Sequence, residues 1–177
     1  MQEFVRLFNG NDKVDMLQEK VMDSMECLAY SEAGHWVVQT VIELGHPSII
    51  ARATNWFESS MQKVLIDIRG VEVARSLVQQ LLAHSRRGVE NTWSLAMDRL
   101  VKKMTEQMVV VNGDKLPLII VAAKHHVGHI LVQEVARKQY LLGHSGVKMK
   151  QVMEDNRKSL SIDIFGCLVL KGLEGWM

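Results

Sequence analysis

Three histidines, His125, His126 and His129, lie close enough together in the chain to raise the question of a metal. Residues at i and i+4 share a helix face, which is how a zinc pair is presented. Gly128 falls between them at an expected helix junction, and no acid or cysteine stands nearby to complete a ligand set. Cys27 and Cys167 are the candidate nucleophiles. They lie far apart among apolar residues, where cysteine is expected as a buried filler. Two free thiols of a reducing compartment are the reading, with one disulfide as the alternative. Gly113-Asp114-Lys115 reads as a turn, because a phosphate loop needs a wider glycine spacing and a Lys-Ser/Thr ending. No catalytic residue, metal or cofactor is expected. The remaining chemistry lies in polar and aromatic side chains that recur behind a glycine: His35, Trp36 and Gln39 after Gly34, Glu72 and Arg75 after Gly70, His129 and Gln133 after Gly128, and Lys171 after Gly166. Imidazole, amide, guanidinium, ammonium and indole groups bond and stack, so their chemistry suits contact with a partner.

The elements that would carry these residues form a repeat. The segments GHWVVQTVIE, GVEVARSLVQ, GHILVQEVAR and GCLVLKGLEG begin at Gly34, Gly70, Gly128 and Gly166, at intervals of 36, 58 and 38 residues. The third, fourth and seventh residues after the glycine are apolar: Val37, Val38 and Val41, Val73, Ala74 and Leu77, Leu131, Val132 and Val135, Val169, Leu170 and Leu173. These offsets share one face of an α-helix, which must be buried. The first, second and fifth residues fall on another face, free to meet a partner. A short apolar segment precedes each glycine: Met25 to Ala29, Val64 to Ile68, Leu118 to Ala123 and Leu160 to Ile164. Third helical segments are expected over Ser48 to Met61, Leu95 to Val109 and Val147 to Asn156, with Pro47 restarting the chain after Gly45. The excess in the long interval is expected as loops around Ser85 to Trp93 and Val111 to Lys115. The expectation is one all-α domain over 1–177, a right-handed α-solenoid of stacked three-helix repeats with no β-sheet.

Composition sets wider bounds. The chain has 177 residues, 47% hydrophobic and 23% charged, with only 2 prolines. These are values of a soluble, helix-rich protein. The net charge is +1, so nucleic-acid binding requires the cations to be gathered on one face. No apolar run approaches ~18 residues, so no membrane span is expected.

The segment Gly34 to Gly45, GHWVVQTVIELG, resembles the second helix of a Pumilio (PUF) repeat: a small residue, two reading residues, two apolar residues, then Gln or Glu. Leu65-Ile66-Asp67-Ile68-Arg69-Gly70 and Ser161-Ile162-Asp163-Ile164-Phe165-Gly166 resemble the run-in to that helix. The long interval and the closing GCLVLKGLEGWM resemble the end of the family's domain. The resemblance covers nearly all of the chain beyond residue 12 and places it at the sixth to eighth repeats plus the C-terminal cap.

The resemblance implies that each repeat holds one base of single-stranded RNA. The first and fifth residues after glycine would bond the base edge, and the second would stack. His35 and Gln39 are then an edge pair beside the stacking face of Trp36. Arg75 would bond or stack, with Val71 and Glu72 in the other slots. His129 and Gln133 form a second edge pair around Ile130. Cys167, Leu168 and Lys171 lie in the cap, with Lys171 on a phosphate. Only Cys167 fits the family's usual first position of Asn, Ser or Cys, which implies relaxed specificity. The expected role is post-transcriptional and translational regulation through mRNA 3′ untranslated regions in the cytoplasm. The alternatives are ribosome assembly in the nucleus or nucleolus, and an α-solenoid scaffold with a protein partner. A face lined by Trp36, Arg75, Lys124, Arg137 and Lys171 would favour RNA; a large exposed apolar patch would favour protein.

Overall fold

The computed structural model describes residues 12–44, 46–85, 92–137 and 143–174. Helices dominate: α1 (Asp12–Asp23), α2 (Met25–Leu28), α3 (Gly34–Leu44), α4 (Pro47–Val64), α5 (Ile68–Ser85), α6 (Thr92–Glu106), α7 (Leu118–Ala123), α8 (Gly128–Arg137), α9 (Gly143–Asp155), α10 (Arg157–Ser161) and α11 (Ile164–Glu174). The four glycine segments are therefore α3, α5, α8 and α11.

These four helices start in the same way. The residue three before each glycine accepts a hydrogen bond from the glycine N–H: Ser31 Oγ at 2.9 Å, Asp67 Oδ1 at 2.8 Å, His125 Nδ1 at 3.5 Å and Asp163 Oδ1 at 2.8 Å. This is the kind of bond by which an N-cap residue accepts from a backbone N–H at the start of a helix. The backbone carbonyl of the same capping residue accepts the first helical bond, from His35, Val71, His129 and Cys167 respectively. The glycine itself is required by close approach. A Cβ at Gly34 would stand 2.8 Å from the Leu28 carbonyl oxygen, at Gly70 3.2 Å from that of Val64, and at Gly166 2.6 Å from that of Leu160. In each case the obstructing carbonyl lies six residues upstream, so the preceding segment turns tightly beneath the helix start.

The chain divides into two compact units, 1–81 and 82–177, with the division inside α5. In the first unit α1 packs on α2, α3 and α4, and α3 packs on α2 and α4. Pro47 opens α4 at its first turn, where its missing N–H leaves nothing unsatisfied. Ile49, Ile50, Ala53, Phe57, Met61 and Val64 recur at helical spacing and are buried with Val38, Val41 and Ile42 of α3. Each such large side chain contributes about 1.5–3 kcal/mol by leaving water. Arg52 of α4 ties to α1 through Glu19 and through Asp23 at 2.7 Å.

In the second unit α8 packs on α7 and α11, and α6 packs on α9. Leu118, Ile119 and Ile120 of α7 meet a core that includes Leu131, Val132 and Val135 of α8, Leu160 of α10 and Val169 of α11. Lys148 of α9 pairs with Glu106 of α6. The expectation of no β-sheet is corrected here. Strands β1 (Met108–Val111) and β2 (Asp114–Pro117) form an antiparallel hairpin with Val111 opposite Asp114. Its two-residue turn, Asn112 at φ 53° and Gly113 at φ 91°, is left-handed at both positions. Such a turn matches the twist of paired strands and favours Asn-Gly. The third helix of that repeat therefore ends at Glu106, short of the expected Val109. Val111 to Lys115 is the hairpin turn and its flanks rather than an open loop. Residues 86–91, within the other expected loop, lie outside the described residues.

Candidate nucleic-acid interface

In α3 the three candidate residues divide sharply. Trp36 is 53% exposed, its ring beside that of His35 with centroids 4.6 Å apart. His35 and Gln39 are each only 8% exposed, so they are not displayed as the helical wheel implied. His35 Nδ1–H donates to the Ser31 carbonyl at 2.9 Å, one turn back. Gln39 Oε1 accepts from Ser76 Oγ of α5 at 3.5 Å. Gln39 Nε2 is buried with no acceptor. A donor stranded in this way costs about 1–3 kcal/mol.

The second copy repeats that condition. Val71, at the first position, is wholly buried and belongs to the core. Glu72 and Arg75, at the second and fifth, face each other one turn apart in an ion pair at 3.5 Å. The pair uses Arg75 Nη1 and leaves Arg75 Nε buried without an acceptor. Thus the fifth position in both α3 and α5 carries a buried N–H donor with nothing to receive it.

Beneath α5 lies a polar cluster that the sequence reading missed. Glu26 accepts from Lys63 Nζ at 2.9 Å, Trp56 Nε1 at 3.0 Å and Ser60 Oγ at 3.2 Å. The Lys63 bond chiefly holds its carboxyl below the ordinary value, against an opposing effect of burial. Lys63 Nζ also lies 3.9 Å from the centre of the Tyr30 ring, a cation–π contact. Burial, then Glu26 and Asp67, push the Tyr30 hydroxyl up to about 12. The Tyr30 ring edge stands 3.0 Å from where a Cβ on Gly70 would lie. The Tyr30 ring thus lies close against the start of α5.

In the second unit His129 repeats the bond of His35, its Nδ1–H donating to the His125 carbonyl at 3.1 Å. Its ring lies 4.9 Å from that of Phe165. Ile130, Gln133 and Cys167 are half-buried, Leu168 is exposed, and Lys171 and Arg137 are exposed. Lys124 donates to Ser159 Oγ, so it is engaged. Both cysteines are free; Cys167 is half-buried and Cys27 exposed, which corrects the expectation of two buried thiols. Among the described residues no group of three or more His, Cys, Asp or Glu could hold a metal. No helix among them is long and apolar enough to cross a membrane.

The capping role of Ser31, Asp67, His125 and Asp163 was not recognised by sequence reasoning. Their signal was a polar residue at a constant offset before glycine, masked by differing chemistry. A scan against protein-family models matches none, and a search of curated proteins likewise finds no match.

Proposed function

We propose that the chain is a helical-repeat module, a right-handed α-solenoid of the Pumilio type, that binds single-stranded RNA without catalysing a reaction or holding a cofactor. One observation carries the reading: an exposed indole, Trp36, stands on the same helix as Gln39, whose buried amide N–H lacks an acceptor. A nucleic-acid base offers a flat face to the indole and carbonyl oxygens to the amide. Arg75 Nε repeats the unmet donor on α5. His35 and His129 serve mainly to start their helices, with Nδ1 committed to a backbone carbonyl. Recognition therefore rests on stacking by Trp36, with Gln133 and Lys171 adding contacts in the second unit, and a base reaches the Gln39 and Arg75 donors only when those side chains turn outward. Val71 and the Glu72–Arg75 pair leave little edge reading in the second repeat. This favours relaxed specificity, on messenger untranslated regions in the cytoplasm or on ribosomal RNA in the nucleolus.

The test is affinity for unstructured RNA oligonucleotides across a salt series. Trp36→Ala should weaken binding by roughly 1–3 kcal/mol, about tenfold to a hundredfold, with its melting temperature nearly unchanged. Lys171→Gln should weaken all sequences alike and lower the salt slope by about one unit. Unchanged affinity in Trp36→Ala overturns the reading.

A protein-scaffold reading has its own support. Ile66 and Ile68 before and at the start of α5 are exposed, as are Ile162 and Ile164 before and at the start of α11. Absence of RNA binding in the intact protein would turn attention to these side chains.

A further inference from the structure

Ser31, Asp67 and Asp163 cap their helices through oxygen, which keeps its lone pairs throughout the neutral and mildly acidic range. The third copy uses a ring nitrogen. His125 Nδ1 accepts from the N–H groups of Val127 at 3.4 Å and Gly128 at 3.5 Å. It can do so only while that nitrogen is unprotonated, with the ring proton on Nε2. Protonation removes the acceptor and places a positive charge against the positive end of a helix. We propose that His125 is a proton-sensitive cap that releases the start of α8 in mildly acidic solution.

The surroundings favour the neutral ring. The titratable groups bearing on it are His126, whose ring centroid lies 4.4 Å away, and His129 at the first turn of α8. Burial and then these two neighbours lower the affinity of His125 for a proton. α7 contributes no titratable side chain. Lys124 is turned to Ser159 of α10. Just before α11, Asp163 is engaged by the Phe165 and Gly166 amides; Cys167 and Lys171 follow on that helix. On α9, Lys148 pairs with Glu106 and Glu154 with Arg157. His129 responds differently from His125. Its Nδ1–H is already the donor to the His125 carbonyl, so a second proton on Nε2 leaves that bond intact. The three neighbouring histidines therefore contain one residue whose cap fails on protonation and one whose bond survives it.

The sign follows from the lowered value. The cap contributes its full stability above the ordinary histidine value of 6.5 and loses it as pH falls through the lower folded-state value. The consequence reaches the third repeat, because His129, Ile130 and Gln133 are all carried on α8.

The experiment is amide exchange at Gly128 in the full chain, corrected for intrinsic pH dependence, with NMR titration of the histidine rings. Protection of Gly128 should fall by about tenfold, the size of one lost helix cap, between about pH 7.5 and about pH 5. The fall should track the titration of His125. His125→Ser, which places at this position the capping residue of α3, should make Gly128 protection independent of pH over that range. His126→Gln should keep the pH dependence. A Gly128 protection that ignores pH in the wild-type chain, or an equal fall in His125→Ser, overturns the proposal. If His125→Ser fails to fold, the wild-type correlation decides: agreement between ring titration and Gly128 opening supports the cap, and disagreement removes it.

Discussion

Helix α11 carries two glycines in opposite situations, which makes it a direct test of why the repeat begins with glycine. Gly166 lies in the first turn and Gly172 in the last. A Cβ at Gly172 would meet no atom within 4 Å, whereas at Gly166 it would lie 2.6 Å from the Leu160 carbonyl oxygen and 3.0 Å from Leu160 Cα. Alanine favours helix over glycine by up to about 1 kcal/mol at either site. Gly172→Ala should keep most of that gain and raise the melting temperature by roughly 2–4 °C. Gly166→Ala must displace backbone rather than a flexible side chain end, a strain of about 1–3 kcal/mol. The two variants should differ by about that amount in urea denaturation at neutral pH, with equal m-values. If Gly166→Ala equals or exceeds Gly172→Ala in stability, the close approach to Leu160 is not what demands glycine, and the same argument at Gly34 fails with it.

Other outcomes follow from the cluster beneath α5. The chain has 2 tyrosines, and absorbance titration should show one of them, Tyr30, ionising at about 12. Because its folded-state value is raised, its contribution to stability is complete below the ordinary value of 10.0 and is lost as pH rises through the folded value. Tyr30→Phe should remove that alkaline loss; an unchanged alkaline limb would exclude a raised Tyr30. Glu26 behaves in the opposite sense. With its folded value lowered chiefly by Lys63, it stabilises above the ordinary 4.5 and loses that effect as pH falls through the folded value. Glu26→Gln should therefore flatten the acid limb of a stability–pH profile, and an equal acid limb in both proteins would show that the Lys63 bond contributes nothing.

The helical core was legible because burial follows a period of about 3.6. Val38 and Val41, Val73 and Leu77, Leu131 and Val135, and Val169 stand where the spacing placed them and are buried, whereas Val37 and Leu173 of the same pattern are only half-buried. Accessibility of the candidate site was less legible. A helical wheel says which residues share a face but not how near the next helix comes. Gln39 is covered in part because Ser76 of α5 reaches it, a contact between residues 37 apart. Val71 gave a local clue, since an apolar residue in a partner-facing slot is more economically explained by burial. The hairpin was missed because Met108 to Val111 extends an apolar run out of α6, although Asn112-Gly113 was a usable turn signal. The caps escaped notice because Ser, Asp and His are chemically dissimilar, yet each has one acceptor atom at the required height.

The hairpin has a further consequence for how this kind of chain can lengthen. Each helix start draws its cap from the residue three before its own glycine, and at Gly34 and Gly166 the close carbonyl lies six residues before it. Nothing in that geometry measures the distance to the next glycine. Extra residues can enter between α6 and α7 without disturbing either start, which is where β1 and β2 stand. Going from an interval of 36 residues to 58 is less than a doubling, so chain-closure entropy rises by less than about 0.6 kcal/mol. Short-range caps also let each of these helix starts form from local residues, so the spacing between glycines can change while the register within each helix stays unchanged.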